Sequence, residues 1–161
     1  MGIVGDLKYG RTVHSLLNAL LRYDGNSFVL ISPEELRLPE YMKKAIEQKG
    51  AETVETTSLS EYMQGLDVLY MTRIQRERFS DADEYERLKD SYVLTREKLR
   101  QAKEDMIVLH PLPRVNEITL DVDDDPRAAY FDQVQNGVHM RMALIMTLLG
   151  LKDLSLIHIS E

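Results

Sequence analysis

The chain of 161 residues is 43% hydrophobic and 29% charged, enough for one globular domain with a real core, which excludes a disordered segment. Its 27 acidic residues against 20 basic ones leave a net charge of −7, arguing against a nucleic-acid surface or an anionic membrane as the main partner, so any anion site must be a local cluster. With no cysteine at all, disulfide frameworks, thiolate zinc sites and cysteine nucleophiles are excluded, and a cytoplasmic setting is the expectation.

Short apolar runs alternate with helical patterns along the chain, the signature of βαβ units and a mostly parallel sheet with helices on both faces, a Rossmann-like α/β fold. The start "MGIVGDLK" lacks the basic and apolar regions of a leader, and "GIV" (2–4) reads as a first strand. Val13, Leu16, Leu17, Leu20 and Leu21 then recur at helical spacing until "YDGN" ends the pattern. "SFVLIS" (27–32) predicts a second strand, and 38–50 a helix opened by Pro39 and stopped by Gly50. "ETVETT" (52–57) is a weaker strand, followed by a short helix at "SLSEYMQG" and a strong strand at 66–73. The charged segment 74–93 reads as a solvated loop plus helix, 95–103 as a further helix, and 105–110 as a strand that "PLPR" cannot continue, because proline lacks the amide donor. A last helix over about 133–149 is apolar on so many sides that it calls for burial on more than one of them. The most apolar stretch, Ala143 to Leu151, is far shorter than the ~20 residues that span a bilayer, so no membrane partner is expected.

Three stretches carry candidate chemistry. "GDLKYGRT" (5–12) lies one residue from the phosphate-cradling pattern G-x-x-x-x-G-K-[ST], with Arg11 in place of the lysine. Neither later strong strand ends in the aspartate that would hold magnesium, and the guanidinium fork suits a carboxylate better than it replaces a lysine point charge. In "TRIQRER" (72–78), Arg73 and Gln75 project to one side of an extended chain at a strand end, where open α/β sheets bind ligands. Together with Arg11 they match a small molecule bearing two carboxylates; from spacing alone, Arg73, Arg76 and Arg78 read rather as ordinary surface charges. "HPLPR" (110–114) sets a rigid kinked loop whose carbonyls no ladder can use, available to a ligand amide or simply a strand exit. "DVDDDPRAAYFD" places Pro126 where a calcium loop needs glycine, and His14, His139 and His158 have no metal-ligand spacing.

Taken in order, "IVGDLKYGRT" (3–12), "YMTRIQRER" (70–78) and "LHPLPRVNEI" (109–118) resemble the carbamoyltransferases, and among them the aspartate carbamoyltransferases, from Met1 to about Leu154. The ornithine relatives look different at the last two motifs, with "SMG" and "HCLP". The resemblance implies transfer of a carbamoyl group from carbamoyl phosphate to the amino group of L-aspartate in pyrimidine synthesis. In that reading Arg11 grips the α-carboxylate and Arg73, helped by Gln75, the β-carboxylate. The carbonyls of Pro111 and Leu112 hold the carbamoyl amino group, with Pro113 directing them through a cis Leu112–Pro113 bond. The mobile loop over 74–88, with Arg78, would close on substrate and be tethered by Lys8 or Tyr9 to Glu84. No metal or cofactor is implied.

The resemblance further divides the chain into an aspartate-binding domain (1–132), a helix (133–150) expected to pack on a carbamoyl-phosphate domain, and a tail (151–161). That domain, with its Ser-x-Arg-Thr-Arg motif, is absent from these residues, so the chain alone is expected to be inactive. A homotrimer is implied for the full chain, and a regulatory chain is a possible partner. The rival readings are a non-catalytic dicarboxylate-binding or scaffold domain and a P-loop-like nucleotide binder.

Overall fold

The computed structural model describes residues 1–74, 79, 81–88 and 91–151. Five strands form one sheet in the order β3-β2-β1-β4-β5, all parallel: β1 (Gly2–Val4), β2 (Ser27–Ile31), β3 (Glu52–Thr56), β4 (Val68–Met71) and β5 (Ile107–Leu109). Strands covered on both faces must be apolar throughout, as "GIV" and "VLYM" are. Successive side chains point to opposite faces, and the core divides accordingly. Ile3, Leu30 and Tyr70 face one cluster, built with Val13 and Leu17 of α1 (Arg11–Leu20) and Met42 and Ile46 of α2 (Glu40–Gln48). Val4, Ile31, Leu69 and Met71 face the other, with Leu59 of α3 (Leu59–Tyr62), Leu99 of α5 (Arg96–Leu99) and Tyr130 at the head of α6 (Tyr130–Leu148). The predicted α/β sheet with helices on both faces is therefore what the chain forms. Each fully buried residue such as Leu17 or Leu69 contributes about 1.5–3 kcal/mol.

The order of the strands matters for function. The chain winds outward from β1 through β2 to β3, then returns to the other side of β1 to lay down β4 and β5. A topological switch point thus lies between β1 and β4, where the loops leaving the strands diverge and open a crevice. The free edge of β3 carries Glu52 and an ion-paired Glu55, 2.7 Å from Lys43, charges that discourage further strand addition. The outer edge of β5 is covered, since Val108 pairs with the 127–129 segment on both its amide and its carbonyl.

Several elements are shorter than the sequence predicts. β4 runs over Val68–Met71 rather than 66–73, and α5 is a single turn capped by the Thr95 hydroxyl, which accepts from the Lys98 amide. Conversely, α6 begins at Tyr130, ahead of the predicted 133, because Tyr130 is wholly buried and its hydroxyl is tied to Asp123 and Arg114. Beyond that first residue α6 buries none of its side chains fully: Val134, Val138, Met140, Leu144, Ile145 and Leu148 are exposed. A further helix, α4 (Ala82–Leu88), rests on Leu36 through Leu88 and Tyr85, with Arg87 2.8 Å from Glu35. No helix among the described residues is long and apolar enough to cross a membrane.

Candidate functional site

The end of β1 is drawn tightly against the end of β4. The Thr72 amide and its hydroxyl both donate to the Val4 carbonyl at 2.9 Å, and Gly5 lies so close that a Cβ there would stand 2.4 Å from the Thr72 carbonyl oxygen. At φ +115, Gly5 also adopts a conformation that side-chain-bearing residues avoid. From this pivot the chain turns through Asp6, a buried carboxylate that accepts the Tyr9 amide at 2.8 Å, and delivers Arg11 to the first position of α1. His14 braces the turn from inside the helix. Since a carbonyl can only accept, its Nε2 donates to Leu7 at 2.9 Å, leaving Nδ1 to accept from the Tyr41 hydroxyl at 3.1 Å. Thr12 bonds the Tyr70 hydroxyl, joining α1 to β4; burial pushes that phenol above its usual range and the Thr12 bond opposes the rise.

The geometry does not favour the phosphate-cradle reading of "GDLKYGRT": three amides of the turn, those of Gly5, Leu7 and Tyr9, are bonded to Ile31, Leu36 and Asp6 rather than presented to a ligand. What the turn offers instead is the Arg11 side chain.

On the far side of β4, β5 ends in His110 and the 111–113 loop. The Leu112–Pro113 bond is cis, as the resemblance implies, and Leu112 itself takes φ +45. Arg11, Arg73, Tyr9, Pro111, Leu112 and Pro113 line a single crevice of about 240 Å3 above the switch point. Five of these are the predicted ligand contacts, contributed by three different strand ends, and Tyr9 joins them from the predicted closure set. A larger hollow of about 410 Å3, between Tyr23, Asn26, Lys49 and Glu52, lies at the opposite, N-terminal ends of β2 and β3, where α/β sheets do not build sites.

The remaining predicted residues fall elsewhere. Gln75 and Arg78 lie outside the described residues. Lys8 sits over the Tyr9 ring at 5.0 Å, and among the described residues no hydrogen bond or ion pair joins Lys8 or Tyr9 to Glu84. The α4 segment that carries Glu84 is tied instead to Glu35 through Arg87.

The sequence reading overlooked the supports of the 111–113 loop. His110 is buried, with Nε2 2.8 Å from Glu117 and Nδ1 2.8 Å from the Leu112 amide. Burial would raise the carboxyl of Glu117, but bonds from His110 and from nearby amides outweigh it and hold the group below its usual range. Immediately after the loop, the two terminal guanidinium nitrogens of Arg114 grip Asp123, and the Tyr130 hydroxyl joins them; the bond from Arg114 holds the Asp123 carboxyl low. Burial and the Asp123 bond push the Tyr130 phenol up to about 12. Only the spacing of His110 and Glu117 around "PLPRVN" hinted at this, and spacing cannot reveal which polar residues are buried.

Comparison with known proteins converges on one family. The model for the Asp/Orn-binding domain of aspartate/ornithine carbamoyltransferase matches residues 1–148. The aspartate carbamoyltransferase catalytic subunit of Clostridium kluyveri is 56% identical over 152 residues, covering 94% of this chain and 50% of that protein. That of Clostridium novyi is 57% identical over 152 residues, with the same coverage of 94% and 50%. Among solved structures, the catalytic subunit of M. jannaschii aspartate transcarbamoylase superposes with a TM-score of 0.85 at 46% identity, covering 92% of this chain and 49% of that one. The Trypanosoma cruzi aspartate transcarbamoylase solved with aspartate and phosphate gives a TM-score of 0.77 at 44% identity, over 89% of this chain and 45% of its own. The chain spans about half the length of the curated relatives it matches. A sheet with this switch point, bearing these motifs at its strand ends, belongs to the aspartate/ornithine carbamoyltransferase family and forms its Asp/Orn-binding domain.

Proposed function

We propose that the chain is the aspartate-binding half of an aspartate carbamoyltransferase of pyrimidine synthesis, acting with a carbamoyl-phosphate-binding half. The α-amino nitrogen of L-aspartate attacks the carbamoyl carbon, the new C–N bond forms, the C–O bond to phosphate breaks, and the nitrogen loses its proton. The observation that carries this reading is the convergence of Arg11, Arg73 and the 111–113 loop on one crevice. In it the forked guanidiniums of Arg11 and Arg73 hold the α- and β-carboxylates, with Gln75 assisting, and the Pro111 and Leu112 carbonyls accept from the carbamoyl amino group, directed by Pro113. Charge-assisted bonds of this kind are about twice as strong as neutral ones. Fixing both reactants offsets their lost freedom and mutual repulsion before the transition state is reached.

Three further assignments belong to the same proposal. The exposed apolar flank of α6 packs on the carbamoyl-phosphate half, so that 1–132 and 133–150 serve different partners. Lys8 and Tyr9 meet Glu84 only when the loop containing Arg78 closes over bound substrates. The complete enzyme is a cytoplasmic homotrimer, open to a regulatory chain.

Mixing this chain with a separately produced carbamoyl-phosphate-binding half tests the core of the reading. The pair is expected to release carbamoyl-aspartate and phosphate, and neither half to do so alone. A paired sample that binds together yet makes no carbamoyl-aspartate would leave a dicarboxylate-binding module in its place.

A further inference from the structure

His110 closes a fully paired polar cluster behind the 111–113 loop. It is 1% exposed, and its ring nitrogens have partners of opposite kinds. The Leu112 amide can only donate, so Nδ1, 2.8 Å away, must present its lone pair. The proton of the neutral ring therefore sits on Nε2 and is donated to Glu117 Oε1 at 2.8 Å. The other oxygen of Glu117, itself 4% exposed, accepts the amides of Val115 at 3.0 Å and Asn116 at 3.1 Å. The backbone amide of His110 donates to Gln133 Oε1 at 2.9 Å, in the first turn of α6. Through its ring and its backbone amide together, His110 thus joins the end of β5, the turn at 115–117 and α6.

We infer that His110 is a positioning residue for the reaction: locked as the Nε2–H tautomer between Glu117 and the Leu112 amide, it aims the carbonyls of the 111–113 loop without exchanging protons with substrate. Although the ring borders the crevice, neither nitrogen has a free valence for general acid–base work. The other tautomer, or a doubly protonated ring, sets an N–H against the Leu112 N–H. Leu112 meanwhile occupies φ +45, a conformation that a branched side chain does not keep unless its surroundings hold it there. The bond from its own amide to Nδ1 is the hold nearest at hand. The catalytic part of this inference rests on the proposed function; the tautomer and the bond to Leu112 do not.

Two variants divide the roles of the ring. His110→Asn keeps an acceptor near the Nδ1 position and loses the donor to Glu117, whereas His110→Gln keeps a donor toward Glu117 and loses the acceptor for Leu112. In the chain paired with a carbamoyl-phosphate-binding half, His110→Gln is expected to lower kcat/KM for carbamoyl phosphate about 100-fold, the scale of a misplacement near 1 Å. His110→Asn should stay within about 10-fold of the unaltered pair, even where its urea midpoint drops as far. Equal losses in both variants would reduce His110 to a packing residue. The second measurement needs no activity: histidine-labelled chain should show the Nε2–H tautomer in long-range 1H–15N spectra, and Leu112 amide exchange should be protected in the parent and His110→Asn but not in His110→Gln. A proton on Nδ1, or protection in all three, would overturn the inference even if the paired enzyme proved inactive.

Discussion

Replacing Gly5 with alanine perturbs the point on which the crevice turns. The added Cβ would lie 2.4 Å from the Thr72 carbonyl oxygen and 2.6 Å from its hydroxyl, where ordinary contact begins at 3.4 Å, so the Thr72 backbone must retreat by about 1 Å. That retreat strains the two bonds from Thr72 to Val4 and carries Arg73, the next residue, with it. Holding alanine at φ +115 costs about 1–3 kcal/mol, and forcing a methyl into closed packing costs about 1–3 more, so the central expectation is about 4 kcal/mol. Gly25→Ala is the internal control: φ there is +79 but nothing lies within 4 Å, leaving only the conformational cost of about 1–2 kcal/mol. With a urea slope of about 2 kcal/mol/M, the unfolding midpoint should fall by about 2 M for Gly5→Ala and by under about 1 M for Gly25→Ala. Equal shifts in the two variants would show that the close approach of β1 and β4 carries no steric cost, and the account of the pivot would be wrong.

Arg73→Ala, in the chain paired with its carbamoyl-phosphate-binding half, should lower kcat/KM for aspartate by about 100-fold or more, because a desolvated carboxylate loses its charged partner. Unchanged aspartate kinetics would move the clamp elsewhere. Acid sensitivity follows from three carboxyls held below their usual values: Asp125 by the bond from Arg127, Asp123 by that from Arg114, and Glu117 by bonds that overcome its burial. Their stabilisation is complete above the unfolded values near 4 and is lost as pH falls through the lowered folded ones. The melting temperature should therefore drop below about pH 4.5, and Asp125→Asn should lower stability at neutral pH while flattening that acid slope. An unaltered slope would mean that the Asp125–Arg127 pair does not contribute.

Much of the fold was legible because its strands are short apolar runs and its helices carry an apolar stripe, patterns that burial imposes locally. Leu16, Leu17, Leu20 and Leu21 announced α1 without any knowledge of what lay beneath them. Element ends were less legible: α6 starts at Tyr130 because of a hydroxyl bonded to Asp123 and Arg114, which no periodicity encodes. The breadth of the apolar surface on α6 was plain from the sequence, but that it stands exposed on this chain is a tertiary fact.

The motifs "GDLKYGRT", "YMTR" and "HPLPR" by themselves fixed which groups are on offer: guanidiniums, and carbonyls beside prolines that no ladder could use. What they could not determine is that these groups meet, since Arg11, Arg73 and Pro111 are separated by dozens of positions along the chain. The strand order β3-β2-β1-β4-β5 decided it, by setting the ends of β1, β4 and β5 side by side at a switch point. It also decided that His110 and Glu117 lie buried behind the loop. Sequence records which groups are present; only packing determines which of them lose water, and a polar group that has lost water must find a partner.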